Sequence, residues 1–182
     1  DTLTSNGRLT AAAYTALEVL QRSNKLVVPV TGRPAGWCDH IARMWPVDGI
    51  IGENGAFYFR YDDNVRKMIR RYQIDKQTIV ENREKLKAIG KEITAAVRGA
   101  EIAADQSYRE TDLAIDFRED VPELKLSSVY RIVELMEEAG MTTKVSSIHV
   151  NGWYGSYDKL TMIDCFLAEE FKINLTEEKN RF

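Results

Sequence analysis

The sequence of 182 residues lacks the features that mark secreted, membrane-spanning and nucleic-acid-binding proteins. Two cysteines, Cys38 and Cys165, are too few for a disulfide framework, which favours a reducing cytoplasm. No apolar run approaches the roughly 20 residues that span a bilayer, and no signal-peptide pattern opens the chain. The charged residues are scattered and sum to −3, so no basic stripe follows a nucleic-acid backbone. We expect a soluble cytoplasmic protein without membrane or nucleic-acid partners; its oligomeric state is left open.

The two ends of the chain have the pattern of an α/β core. A helix is predicted over residues 7–24, and the apolar run LVVPV at 26–30 then predicts a buried strand that ends in a Gly-Pro turn. The segment DGIIGENGA at 48–56 repeats the sequence of strand and turn. From Lys159 the chain again has a helical pattern. This alternation is typical of a doubly wound parallel sheet with a Rossmann-like arrangement.

The middle of the chain predicts an inserted α+β block. Its order is βαββαβ, as in a ferredoxin-like fold, with AFYFRY at 56–61 as the first strand. The later elements are a helix at 77–98, strands at 101–105 and 112–117, a helix at 125–139 and a strand at 144–151. The predicted division is therefore 1–56 for the first part of the core, 57–156 for the cap and 157–182 for the second part of the core.

The predicted core is too small to be complete. Two parallel strands cannot cover the apolar faces of the helices that flank them. We expect additional strands, either from segments beyond both ends of the chain or from another chain.

Four short motifs together resemble the haloacid dehalogenase superfamily. They are DTLTSNGRLT at the start, VTGRP at 30–34, GENGA at 52–56 and YDKLTMI at 157–163. Their order and the inserted block look like the branch with a large cap after the second core strand. That branch includes sucrose, mannosylglycerate and trehalose phosphatases and phosphomannomutases. The resemblance covers essentially the whole chain and implies an enzyme that acts on a small phosphate ester.

Thr31 follows the buried strand of VTGRP, at the strand end where ligands bind in open α/β sheets. Its hydroxyl and the amides of Gly32 and Arg33 can donate hydrogen bonds to a phosphate oxygen. The resemblance implies that Thr31 orients the transferring phosphoryl group and that Arg33 is a second contact to the anion. The alternatives are a threonine that only caps the next helix and a solvated arginine.

Lys159 opens the segment after the cap. The resemblance makes it the lysine that neutralises charge on the phosphate and on a carboxylate nucleophile, an electrostatic effect that is large in phosphoryl transfer. The alternative is an ordinary surface lysine beside Asp158.

The resemblance places the nucleophile outside the chain. The first motif of the superfamily is Asp-x-Asp-x-Thr, and Asp1 and Thr2 match only its last two positions. Both catalytic aspartates would precede residue 1, so we assign Asp1 no catalytic role. Magnesium is the implied cofactor, but its ligands would also lie outside these residues. We therefore predict no metal ligand within the chain and expect the fragment alone to be inactive.

The segment NGWYGSY at 151–157 joins the cap to the core, where Asn151 and Trp153 are predicted to contact a sugar. The alternative is that these residues only pack. Arg109 and Arg118 flank the second cap strand and can contact a substrate, although a solvated face is the more common arrangement.

We expect a magnesium-dependent phosphatase that acts on a sugar phosphate through an aspartyl-phosphate. Transfer of the phosphoryl group between hydroxyls of one sugar, as in a mutase, is left open. The main alternative is a noncatalytic protein that binds sugar phosphate or regulates another protein. An RNA-binding block is less favoured, since the aromatic pattern of such domains is missing from the central strands.

Overall fold

The computed structural model describes residues 2–5 and 7–175; Asp1 lies outside them. The strands are β1 (Thr4–Ser5), β2 (Arg8–Leu9), β3 (Ile50–Gly52), β4 (Phe57–Asp62), β5 (Lys67–Tyr72), β6 (Glu101–Ile102), β7 (Asp112–Asp116), β8 (Thr142–Val145) and β9 (His149–Trp153). The helices are α1 (Ala11–Arg22), α2 (Ala35–Met44), α3 (Lys76–Ala96), α4 (Leu126–Glu138) and α5 (Lys159–Phe166). A π-helical turn, Leu167–Phe171, follows α5.

The strand predicted at 26–30 is reduced to one bridge at Val30, and the parallel pairing predicted for the core is present at that bridge. Val30 pairs with Ile51 in parallel, and the amide of Ile51 donates to the carbonyl of Pro29 at 2.9 Å. The amide of Thr31 donates to the carbonyl of Ile51, also at 2.9 Å. The end of the first apolar run and the loop after β3 are therefore adjacent.

The sheet β3-β4-β5 is covered on both faces because side chains alternate along its strands. Phe57 and Phe59 of β4 stack at 4.3 Å and belong to the apolar cluster that includes Cys38 and Ile41 of α2. Tyr58, between them, belongs to a second cluster. That cluster includes Met162 and Phe166 of α5. One sheet thus holds together the helices that begin at the two predicted site motifs.

The predicted first strand of the cap is part of this core sheet. AFYFRY forms β4, which pairs antiparallel with β3 and, through a hairpin, with β5. The hairpin turns at Asp62, whose carboxylate accepts hydrogen bonds from the amides of Asn64 and Val65. The boundary predicted at residues 56 and 57 would separate β4 from β3, so it conflicts with their pairing. Alternating aromatic residues suit an inner strand of the core sheet as well as of a cap sheet, so the sequence pattern assigned β4 to the cap.

The inserted block is a four-stranded antiparallel sheet in the order β6-β7-β9-β8, with α3 and α4 packed on it. The predicted stripe on α3 and the predicted inward face of β7 are confirmed, since they share one cluster. Its members include Leu86, Ile89, Ile93, Val97, Leu113, Ile115 and Phe117. The predicted strand at 144–151 is instead two strands, because Ser146 turns the chain and its amide donates to the carbonyl of His149. The observed order is αββαββ rather than βαββαβ.

The first helix begins later than the predicted residue 7. β1 and β2 form a short hairpin, and α1 starts after Thr10, whose side chain accepts a hydrogen bond from the amide of Ala13. The predicted class, an α/β core with an inserted α+β block, is confirmed. We propose that the cap comprises about residues 73–156. No helix within the described part of the chain combines the length and apolar character needed to cross a bilayer.

Candidate active site

Thr31 lies in a tight loop between the first apolar run and α2. Its hydroxyl oxygen accepts a hydrogen bond from the amide of Arg33 at 3.1 Å. The helix begins at Ala35, after Pro34 in extended conformation. The loop therefore presents a hydroxyl beside backbone amides at a helix start, an arrangement that favours an anion.

The loop is held by the turn that follows β3. The amide of Asn54 donates to the carbonyl of Thr31, and the amide of Glu53 donates to the carbonyl of Arg33, both at 3.2 Å. Glu53 and Asn54 have φ values of 41° and 58°, in the left-handed region that asparagine tolerates best among ordinary residues. The VTGRP and GENGA motifs therefore form one structural unit.

Gly55 connects this unit to Lys159. Its φ of 104° suits glycine, and a Cβ there would collide with the backbone of Asp158 and Lys159. Asp158 caps α5, since its carboxylate accepts hydrogen bonds from the amide and hydroxyl of Thr161 at 2.8 and 2.9 Å. These hydrogen bonds lower the pKa of Asp158. Two features therefore set where α5 begins: the close backbone approach at Gly55 and the hydrogen bonds by which the Asp158 side chain caps the helix.

Thr31, Gly32, Arg33 and Lys159 line one cavity of about 980 Å³. Lys159 is half-buried, and its burial, together with the charge of Lys144, lowers the pKa of its ammonium group. Within the described ranges, no aspartate or glutamate lines this cavity.

Arg33 is engaged by the cap. Its guanidinium lies 3.3 Å from a carboxylate oxygen of Asp105 and 2.9 Å from one of Glu119. It also stacks on the ring of Trp37, 4.6 Å from the ring centre. Arg33 thus lines the cavity while its charge is shared with two cap carboxylates, so its contact with an anion stays a prediction.

Arg109 is buried rather than solvated, with 6% of its surface exposed. Its guanidinium binds Asp112 at 2.9 Å and Asp105 at 3.0 Å, and donates to the carbonyl of Gly32 at 3.0 Å. Burial by itself would lower the pKa of Arg109, but the two carboxylates outweigh it and raise the pKa. The cap is therefore attached directly to the loop that contains Thr31.

Glu53 makes a second attachment. Its fully buried carboxylate accepts hydrogen bonds from the amide of Ala35 at the start of α2, at 2.9 Å, and from Glu110 and Thr111 in the cap. Burial, with a contribution from the charge of Asp112, raises the pKa of Glu53 to about 7 although the hydrogen bonds lower it. Glu53 thus joins the turn after β3, the start of α2 and the cap.

Asn151 and Trp153 are both 4% exposed. The amide of Asn151 donates to the carboxylate of Asp112 at 3.0 Å, and the ring of Trp153 stacks on Tyr157 with centres 5.9 Å apart. Neither residue lines the 980 Å³ cavity. Their contact with a sugar stays a prediction, and this arrangement of the cap does not favour it.

Sequence reasoning missed Glu53 and Asn54 as parts of the candidate site, and it named Arg109 only as a possible substrate contact on a solvated face. The GENGA motif was recognised, but its pattern did not show that two of its side chains are buried. The burial of Arg109 had no local signal, because an arginine beside a strand is usually solvated.

Residues 2–5 and 7–175 contain no cluster of three or more histidine, cysteine, aspartate or glutamate side chains that could hold a metal ion. These residues therefore do not fit a magnesium ion by themselves. Any such site requires carboxylates from elsewhere.

A family model described as haloacid dehalogenase-like hydrolase matches residues 1–121. The chain belongs to this family. A search of curated proteins finds no match.

Several solved structures have a similar fold. A Thermoplasma acidophilum protein is 15% identical, with a TM-score of 0.70, over 96% of this chain and 69% of its own. A trehalose-6-phosphate phosphatase related protein is also 15% identical, with a TM-score of 0.57, over 90% of this chain and 66% of its own. A sugar phosphatase of subclass IIB in the same superfamily is 14% identical, with a TM-score of 0.59, over 96% of this chain and 74% of its own. The chain thus spans about two thirds of the first two, and the likeness is one of fold.

Proposed function

We propose that the protein containing this chain is a phosphatase that hydrolyses the phosphate ester of a sugar or a similar small molecule. The observation that carries the proposal is the shared cavity of Thr31, Gly32 and Lys159. A hydroxyl, backbone amides and an ammonium group are donors that suit phosphate oxygens. The described lining contains no acidic side chain, which supports an anion as the ligand.

In this proposal, Thr31 orients the phosphoryl group and Lys159 stabilises the negative charge on its oxygens. Fixed donors of this kind act mainly by positioning and electrostatic stabilisation, which dominate phosphoryl transfer. The proposed aspartyl-phosphate requires a nucleophilic carboxylate that the described lining does not contain. We assign that carboxylate and the ligands of a magnesium ion to residues outside those described. The ion would supply further neutralisation of the phosphate charge.

A sugar phosphate is the substrate class that best suits the cavity. Trp37 and Tyr108 line it and are 45% and 57% exposed. Such rings offer apolar faces to a sugar, and Asp105 and Glu119 beside Arg33 can accept hydrogen bonds from hydroxyls. Two of the similar structures are described as a sugar phosphatase and a trehalose-6-phosphate phosphatase related protein, which supports the same class. The unpaired cysteines, Cys38 and Cys165, support a cytoplasmic location.

The test is release of phosphate from p-nitrophenyl phosphate by the full-length protein, with and without magnesium. Lys159→Ala should lower kcat/KM by about 100-fold or more, since a preorganised charge in the site is lost. Lys91→Ala, which removes an exposed lysine on α3, is the matched control and should leave the rate unchanged.

The result separates the two classes of protein. Turnover of Lys159→Ala at the rate of the Lys91→Ala control would remove Lys159 from the mechanism. Binding of phosphate by the wild-type protein without turnover of any sugar phosphate would instead favour the noncatalytic alternative.

A further inference from the structure

Asn54 lies in the turn that supports the proposed phosphate loop. Its backbone amide donates to the carbonyl of Thr31 at 3.2 Å, and its φ and ψ of 58° and 24° are left-handed. The turn therefore holds the Asn54 side chain close to Thr31 and Gly32.

The Asn54 side chain packs against Gly32. A Cβ on Gly32 would lie 3.0 Å from Oδ1 and 3.3 Å from Nδ2 of Asn54. Gly32 lines the 980 Å³ cavity, so the amide lies against a residue of its wall.

The amide nitrogen of Asn54 lacks an acceptor. Asn54 is only 6% exposed, yet among the described residues Nδ2 has no hydrogen-bond partner. Buried polar groups are nearly always satisfied, so an unsatisfied amide next to a binding loop indicates an acceptor supplied by a ligand. Thr31 and Lys159, which line the same cavity as Gly32, also carry donors that suit an anionic ligand.

We propose that Nδ2 of Asn54 donates a hydrogen bond to an oxygen of the phosphate group bound at Thr31 and Gly32. This inference rests on the proposed function and adds a binding residue to it. It also gives a reason for asparagine at this position, since asparagine tolerates the left-handed turn and carries an amide donor.

Two variants of the full-length protein test this contact. Asn54→Asp keeps the shape and the tolerance for positive φ, but replaces the donor with a negative charge. Asn54→Gly removes the donor without adding charge and also tolerates positive φ. The matched control is Asn24→Asp, because Asn24 has a φ of 56° on an exposed turn and does not line the cavity.

The measurements are kcat/KM with p-nitrophenyl phosphate, the competitive inhibition constant of inorganic phosphate, and Tm. For Asn54→Gly we expect the inhibition constant to rise about 10-fold, the size expected for one hydrogen bond to a charged group, and for Asn54→Asp about 100-fold. A residue that only supported the turn would change Tm without weakening phosphate binding. Asn24→Asp should change neither activity nor inhibition.

Unchanged inhibition by phosphate in both Asn54 variants, with an active wild-type protein, would overturn this contact and leave the proposed function standing. A wild-type protein that neither hydrolyses p-nitrophenyl phosphate nor binds inorganic phosphate would overturn the proposed function and the contact together. If Asn54→Asp does not fold, Asn54→Gly decides the question.

Discussion

Arg109 of the cap donates a hydrogen bond to the carbonyl oxygen of Gly32 in the core at 3.0 Å. Asp112 and Asp105 hold the same guanidinium by ion pairs. Because Gly32 lies in the proposed phosphate loop, the position of the cap and the shape of the loop are connected through one side chain.

Arg109→Met should lower the free energy of unfolding by about 3–5 kcal/mol, because it leaves Asp112 as a buried charge without its partner. The check is urea-induced unfolding of the variant and the wild-type protein. Arg131→Met is the matched control, since Arg131 has the same spacing to Glu134 but on an exposed helix face, and it should have little effect. Equal stability of the two variants would show that Asp112 does not depend on Arg109 for neutralisation.

Gly55→Ala should reduce both stability and phosphatase activity. A methyl group there would collide with the Asp158 carbonyl and displace the start of α5, and Lys159 with it. Gly140→Ala is the control for positive φ alone, because Gly140 has a φ of 77° and a Cβ added there would meet no described atom within 4 Å. Gly140→Ala should lower the free energy of unfolding by about 1–2 kcal/mol and leave kcat/KM unchanged. Full activity of Gly55→Ala would mean that this close approach does not position Lys159.

The contribution of Glu53 to the stability of the protein should fall as pH rises from about 4.5 to about 7. The pKa of Glu53 is raised from 4.5 to about 7 by burial, so the folded state binds more protons than the unfolded chain in this window. The stabilisation is complete below pH 4.5 and is lost as pH passes the folded pKa. Asp112 has a raised pKa for the same reason and contributes with the same sign.

Glu53→Gln should reduce this slope, as measured by the free energy of urea unfolding at several pH values. The amide cannot titrate, and it also loses acceptors for Thr111 and Glu110, so the variant should be less stable throughout. A slope equal to that of the wild-type protein would assign the pH dependence to other groups.

Glu119→Gln should tighten the binding of inorganic phosphate about 2- to 5-fold, the range expected for loss of one partly exposed ion pair. Arg33 shares its charge with Glu119 and Asp105, and an anion must compete with both. The variant also removes a charge 2.9 Å from Nε2 of His149. Glu134→Gln on α4 serves as the control and should leave phosphate binding unchanged. Weaker phosphate binding in Glu119→Gln would show instead that Glu119 holds Arg33 in its binding position.

Local patterns predicted the elements whose apolar faces repeat at a regular spacing. The stripe of Leu86, Ile89 and Ile93 on α3 is an example, because helix geometry places residues three and four apart on one face. The pairing partner of a strand was not predictable in this way. Tyr58 and its neighbours have the same alternation whether β4 joins β3 or the cap sheet, and only long-range packing against α2 and α5 distinguishes the two.

The candidate site was predicted in part. Thr31 and Lys159 were selected by resemblance, and both line one cavity. Trp153 was selected as a junction aromatic, but aromatics at a junction can face a ligand or the core with the same sequence, and here the ring packs on Tyr157.

The sequence by itself determined the mixed α/β class, the inserted block and the motifs around Thr31 and Lys159, because turn residues and apolar periodicity act over a few neighbouring positions. Only the tertiary structure decided that Glu53, Asn54 and Arg109 are buried at the same site. The physical reason is that the cost of burying a charge or an amide depends on partners distant in the chain. Folding brings those partners together, and no local pattern records them.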